Sequence, residues 1–219
     1  MHNDSEEEPT IQAMLEPAIY PSHTPPIGAI FLNKDGAVLM DIPPNVDPLQ
    51  MRFAAGAFAG LDRLGLLGLP LIVISNQPGV ALGKFPVDKL APMRSQLEKM
   101  FVLAGTVLGG FYYCPHHPKG VHPLYSTLCN CRKPSPGLLR LAAQRQGIDL
   151  ARSWLIGNIA DDIEAGRRAG CRTILLDNGI KAERAQNEWC QPHRVEADLD
   201  GASRWICAQS AMTGQGAMA

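Results

Sequence analysis

Ala29-Ile30-Phe31-Leu32-Asn33-Lys34-Asp35-Gly36 is the stretch on which the fold turns: four apolar residues without a break, then a polar turn. A short continuous apolar run reads as a strand buried on both faces, and the carboxyl end of such a strand is where a parallel sheet collects functional groups. Working outward, comparable runs recur at 71–74, 110–113, 154–156 and 173–176. Helical patterns lie between and beyond them at 51–67, 87–103, 137–146 and 161–169, with a last one near 202–208. Strand alternating with helix predicts an α/β fold, a Rossmann-like doubly wound parallel sheet with helices on both faces.

Composition narrows the class of function. The chain has 219 residues, 46% of them hydrophobic and 19% charged, with 20 basic against 21 acidic side chains and a formal net charge of -1. That is enough apolar material for a sizeable core, so a wholly disordered chain is excluded. It leaves no basic excess to neutralise a phosphate backbone, so nucleic acid is not an expected partner. Residues 1–26 hold the Glu6-Glu7-Glu8 run and little periodic pattern, and read as a disordered tail or a partner-binding arm. The body is expected over 27–210, with a frayed Gly-rich end at 211–219. The acidic N-terminus does not resemble a secretory leader, and no apolar stretch reaches the roughly 20 residues that span a bilayer. The expectation is a cytoplasmic monomer.

The candidate strands end in polar groups. The first runs into Asn33-Lys34-Asp35-Gly36, the second into Ser75-Asn76-Gln77, and the fourth into Gly157-Asn158-Ile159-Ala160-Asp161-Asp162, while Arg132-Lys133 precedes a Pro-x-Pro-Gly turn. In this order the set resembles the haloacid dehalogenase (HAD) superfamily of phosphatases, whose pattern is Asp-x-Asp-Gly, then Ser or Thr, then Lys, then Gly-Asp-x-x-x-Asp. The resemblance spans residues 29–179. It is closest to the branch of D-glycero-D-manno-heptose 1,7-bisphosphate and histidinol-phosphate phosphatases, through Ser75-Asn76-Gln77-Pro78-Gly79-Val80-Ala81, Gly83-Lys84-Phe85, Tyr112-Tyr113-Cys114-Pro115-His116-His117-Pro118 and Cys129-Asn130-Cys131-Arg132-Lys133-Pro134.

The departures from that pattern bear on function. The resemblance implies an Asp nucleophile, also a magnesium ligand, where this chain has Asn33. A neutral amide is a far poorer nucleophile toward phosphorus than a carboxylate. The second Asp, an acid/base in the family, is retained as Asp35. The leading magnesium-binding Asp of the fourth motif is Asn158, and the trailing acid survives as Asp162. Magnesium is a hard cation held through carboxylates, phosphate and water, so Asn33, Asp35, Asn158 and Asp162 form a degenerate site at which it is expected to bind weakly or not at all. The Thr usual after Asp-Gly is Ala37, and two cationic substrate-contacting positions are Leu82 and Ile159. Ser75, Asn76, Arg132 and Lys133 remain as a candidate phosphate cradle. The competing reading is that Lys133 pairs with Asp162 and Ser75 caps a turn.

Six cysteines leave disulfides, a metal site and scattered thiols all open by count, and spacing decides among them. Cys114-x-His116 and Cys129-x-Cys131 supply three thiolates and one imidazole, a set suited to a closed structural zinc site over 114–131. The heptose branch carries such a site at matching positions, beside the active-site mouth and in place of a large cap domain. His117 and His122 are neighbours able to substitute for His116. Cys171, Cys190 and Cys207 read as incidental thiols.

Three functional readings follow. The first is an impaired phosphatase that binds a sugar phosphate or regulates a protein partner. The second is an active magnesium-dependent phosphatase of heptose bisphosphate or a similar sugar phosphate, in which Asp35 or Asp162 activates water. The third is an interaction scaffold whose acidic tail docks another protein.

Overall fold

A computed structural model describes residues 27–42, 44–177 and 187–212. The tail predicted over 1–26 and most of the frayed end lie outside them. Six strands form one sheet: β1 (Ile30–Asn33), β2 (Leu71–Asn76), β3 (Gly110–Cys114), β4 (Trp154–Gly157), β5 (Arg172–Leu176) and β6 (Arg194–Glu196). Their order is β3-β2-β1-β4-β5-β6, and every neighbouring pair is parallel. The chain starts in the middle of the sheet and winds outward first one way and then the other. β1 therefore sits where the winding reverses, which is where such sheets leave a crevice at their carboxyl ends.

Period-two alternation builds two cores. Ile30 and Leu32 of β1 face one layer with Val73, Phe111 and Ile156, covered by α1 (Ala57–Gly65), α2 (Leu90–Leu103) and α5 (Leu199–Met212). Phe31 faces the other with Ile72, Ile74 and Leu155, under Leu138, Leu139 and Ala142 of α3 (Gly137–Gln146) and Ala165 of α4 (Ala160–Ala169). Phe31 is fully buried, and burial of such a side chain contributes about 2–3 kcal/mol. With both faces covered, the strands are continuous apolar runs, and so they were readable.

Three elements differ from expectation. The helix predicted over 51–67 begins only at Ala57. Residues before it are extended: Met40 N donates to Arg52 O, and Leu39 bridges antiparallel to Phe53. Met51 is buried there by this pairing and not by a helical face. The last helix runs Leu199–Met212, longer at both ends than predicted. Strand β6 was not foreseen, because Arg194-Val195-Glu196 is a three-residue edge with one apolar side chain. No second domain interrupts the sheet among the described residues. No helix among them is long and apolar enough to cross a membrane.

Candidate functional site

The carboxyl ends of β1, β2 and β4 open into a cleft of about 250 Å³. Asn33, Asp35, Ser75, Asn76, Lys133 and Asn158 all line it, as do Leu82 and Ile159. Two predicted residues do not. Asp162 lies behind Lys133 with no exposure, and the Arg132 guanidinium turns away to donate to the His116 carbonyl at 3.4 Å. Ala37 is buried in the core.

Lys133 organises the floor of the cleft. Its Nζ donates to Asp162 Oδ1 at 2.5 Å and to Asn33 Oδ1 at 2.8 Å, with side-chain exposures of 2% for Lys133 and 0% for Asp162. The lysine backbone is pinned reciprocally: Lys133 N donates to Asn76 Oδ1 at 3.0 Å, and Asn76 Nδ2 donates to Lys133 O at 3.1 Å. Asp162 Oδ2 accepts from the backbone N–H groups of Asn158 and Ile159 at 3.1 and 3.3 Å, fixing the first turn of α4 to the cleft. Asn33 completes the network through its amide nitrogen, which donates to Asp35 O at 2.8 Å and to Asn158 Oδ1 at 2.9 Å. The first part of the competing reading is present, since Lys133 pairs with Asp162; for the second, Ser75 Oγ accepts from the Gln77 side-chain amide at 2.8 Å and not from a turn backbone.

Asp35 is held from the opposite side by residues that sequence reasoning missed. Lys34 is fully buried, and its Nζ lies 3.0 Å from Asp35 Oδ1 and donates to Asn45 O at 2.7 Å. Asn45 Nδ2 donates to the same Asp35 oxygen at 2.5 Å and to Met40 O at 3.0 Å, from a backbone with φ of 40°. Burial pushes the Asp35 carboxyl above its ordinary value, opposed by the Lys34 charge. Burial likewise lowers Lys34, opposed by Asp35. A lysine after a strand ordinarily reads as solvated, so Lys34 gave no signal. Asn45, beside Pro44, was a visible turn residue with nothing to link it to Asp35. Asp41 and Lys84 also line the cleft.

The predicted metal ligands converge. Sγ of Cys114, Cys129 and Cys131 and Nδ1 of His116 lie within 4.8 Å of one another. Cys114–Cys129 and Cys129–Cys131 sulfur pairs are 3.5 and 3.3 Å apart, and His116 Nδ1 is 3.7 Å from Cys114 and 3.3 Å from Cys131. A zinc tetrahedron with bonds of about 2.3 Å to sulfur has edges of about 3.8 Å, so the set fits zinc with small adjustment. Contact with Cys114 together with burial holds the Cys131 thiol far above its ordinary range, and burial pushes Cys129 up and His116 down. Crowded thiols therefore resist ionising by themselves, and a dication among them supplies the missing stabilisation of the thiolates. His117 and His122 are not alternatives here: each turns Nδ1 to accept a backbone N–H, from Lys119 and Leu124.

Sheet order, cleft and cysteine loop together define a HAD-type hydrolase fold, and the HAD-hydrolase-like family profile matches residues 130–202. Relatives narrow this. The D-glycero-beta-D-manno-heptose-1,7-bisphosphate 7-phosphatase of Vibrio cholerae serotype O1 is 34% identical over 148 residues, 68% of this chain and 80% of that protein. The Yersinia pestis protein of the same name is 32% identical over 165 residues, 75% of this chain and 88% of its own. The crystal structure of the D,D-heptose 1,7-bisphosphate phosphatase from B. bronchiseptica, complexed with magnesium and phosphate, superposes with a TM-score of 0.72 at 28% identity, covering 84% of this chain and 99% of that one. The chain belongs to the heptose-bisphosphate phosphatase branch of the HAD superfamily.

Proposed function

We propose that this chain binds a sugar phosphate in the cleft with its catalytic step impaired, and acts by binding or by regulating a partner. The observation that carries the reading is Asn33. Its amide oxygen accepts from the Lys133 ammonium at 2.8 Å, and its NH₂ group is turned toward Asp35 O and Asn158 Oδ1. Neither is an anionic oxygen able to attack phosphorus. Ser75, Asn76 and Lys133 line the cleft; the Ser75 hydroxyl is left to donate to a phosphate, while the Asn76 amide and the Lys133 ammonium are already engaged, and the names of the relatives supply the sugar. Zinc in the four-ligand loop has a structural role, since four protein ligands leave no open position for substrate. Magnesium fits the residues present poorly, because two of its four positions, Asn33 and Asn158, are amides and Asn33 presents N–H. Six free cysteines suit a reducing cytoplasm.

The retained Asp35, with its raised pKa, favours one second reading: a slow magnesium-dependent phosphatase in which Asp35 activates water. A single comparison separates the two. Zinc-loaded protein with magnesium is given D-glycero-β-D-manno-heptose 1,7-bisphosphate, with phosphate release and heat of binding both followed. Binding without release supports the first reading. Metal-dependent release that disappears in Asp35→Ala overturns it.

A further inference from the structure

We infer that the Asn33 amide takes the place of a divalent cation in this cleft, held in that orientation by Lys133, so that the cleft is assembled and accepts its anion without a metal. The anion part rests on the sugar-phosphate reading above; the orientation of the amide does not.

The hydrogen-bond partners leave Asn33 one orientation. An ammonium only donates, so the atom 2.8 Å from Lys133 Nζ is the oxygen of Asn33. The NH₂ group then faces two acceptors, the Asp35 carbonyl at 2.8 Å and Asn158 Oδ1 at 2.9 Å. Its two protons satisfy both. Two hard oxygens thus lie within 2.9 Å of the Asn33 amide nitrogen, and an oxygen on residue 33 in its place would add a third to which water and phosphate could complete a cation's shell. Here a nitrogen that donates stands there instead.

Turning the amide over to present oxygen is blocked from behind. It would set NH₂ against the Lys133 ammonium, donor to donor. Lys133 cannot retreat, since it is 2% exposed and held by Asp162 Oδ1 at 2.5 Å. Asn158 is held less directly: its backbone N–H donates to Asp162 Oδ2, its Oδ1 accepts from Asn33, and its amide lies close to Gly36, where an added Cβ would fall 2.1 Å from Nδ2. Charge agrees with geometry: Lys133 cancels Asp162, Lys34 cancels Asp35, and neither amide adds an anionic ligand. A dication entering this point would meet little compensating charge, whereas a phosphate meets no excess of carboxylates.

Manganese followed by electron paramagnetic resonance tests this on the full chain with zinc already in its loop. The wild type is expected to hold no manganese, and orthophosphate is expected to give the same binding heat with and without magnesium. Asn33→Asp combined with Asn158→Asp, which keeps Lys133, is expected to bind manganese. So is Lys133→Met, which frees the amide to turn and leaves Asp162 uncompensated; the double variant keeps the test decisive where that one fails to fold. Stoichiometric manganese on the wild type, or none on the double variant, overturns the inference. Orthophosphate that binds only with magnesium also overturns it. Orthophosphate that binds under neither condition, with manganese behaving as expected, removes the sugar-phosphate reading and leaves the amide assignment standing.

Discussion

The Lys133 ammonium meets the Asn33 amide oxygen at 2.8 Å across 100 positions of sequence. It joins the end of the central strand to the segment that enters α3, and carries Asp162 of α4 with it. Three elements thus share one buried cation.

Removing that cation is expected to be costly. Lys133→Met removes the ion-pair partner of a fully buried carboxyl, and loss of one partner of a buried pair costs about 3 kcal/mol or more. Urea denaturation measures it. Lys133→Arg is expected to rescue little, because a planar fork cannot replace a point donor in a site closed on Asn33 and Asp162. Wild-type stability in either variant removes the organising role given to Lys133.

Elemental analysis should find about one zinc per chain, as a closed four-ligand set requires. Cys131→Ser is expected to lose the metal and melt lower. Cys171→Ser, at a buried position outside the cluster, should keep its zinc. Zinc-free protein prepared without chelator would rule out the assignment.

Asp35 gives a pH dependence whose sign is set by its raised pKa. A carboxyl that holds its proton more tightly when folded contributes stability that is full below its unfolded pKa and is lost as pH rises through the folded value. Lys34 opposes the rise, so Lys34→Met should move the folded pKa higher still. Carbon-13 titration of the Asp35 carboxyl reads the shift directly. Denaturation at about pH 4 and about pH 7 should show the variant losing more stability across that window than the wild type. A lower Asp35 pKa in Lys34→Met would contradict the pairing.

Two glycines separate backbone strain from contact. Gly36 has φ of +84°, and a Cβ there meets the Asn158 amide; Gly68 has φ of +66° and nothing within 4 Å. Gly68→Ala should cost about 1 kcal/mol, the left-handed penalty alone. Gly36→Ala should cost about 2 kcal/mol or more, by adding the displacement of Asn158. Equal losses in calorimetry would mean that Asn158 moves aside freely.

Strands and metal loop were legible because each is written in local sequence. β1 to β5 each contain a continuous apolar run because the sheet is covered on both faces, and three thiols with a histidine at matched spacing need little context. What escaped was set by distant partners. Lys34 is buried only because Asp35 and the Asn45 carbonyl receive its ammonium. Residues 51–56 carry helix-like apolar spacing but are drawn into extended pairing with Met40 and Leu39. Arg132 sits next to Lys133 in sequence, yet the chain turns between them, sending one side chain to the cysteine loop and the other to the cleft. Asn33 and Asn158 were visible as substitutions; that they hydrogen-bond each other was not.

Cys131 lies two residues before Lys133, and Cys114 closes β3 while its carbonyl receives the Gln77 N–H beside Ser75. The metal loop is thus tethered at both ends to the walls of the cleft. Where two ligands bear on one shared backbone, linkage makes their effects mutual: on the proposed reading, zinc that steadied Lys133 would raise the cleft's affinity for a sugar phosphate, and the sugar phosphate would tighten the hold on zinc by the same factor. Metal retention then becomes a remote gauge of whether the cleft is filled.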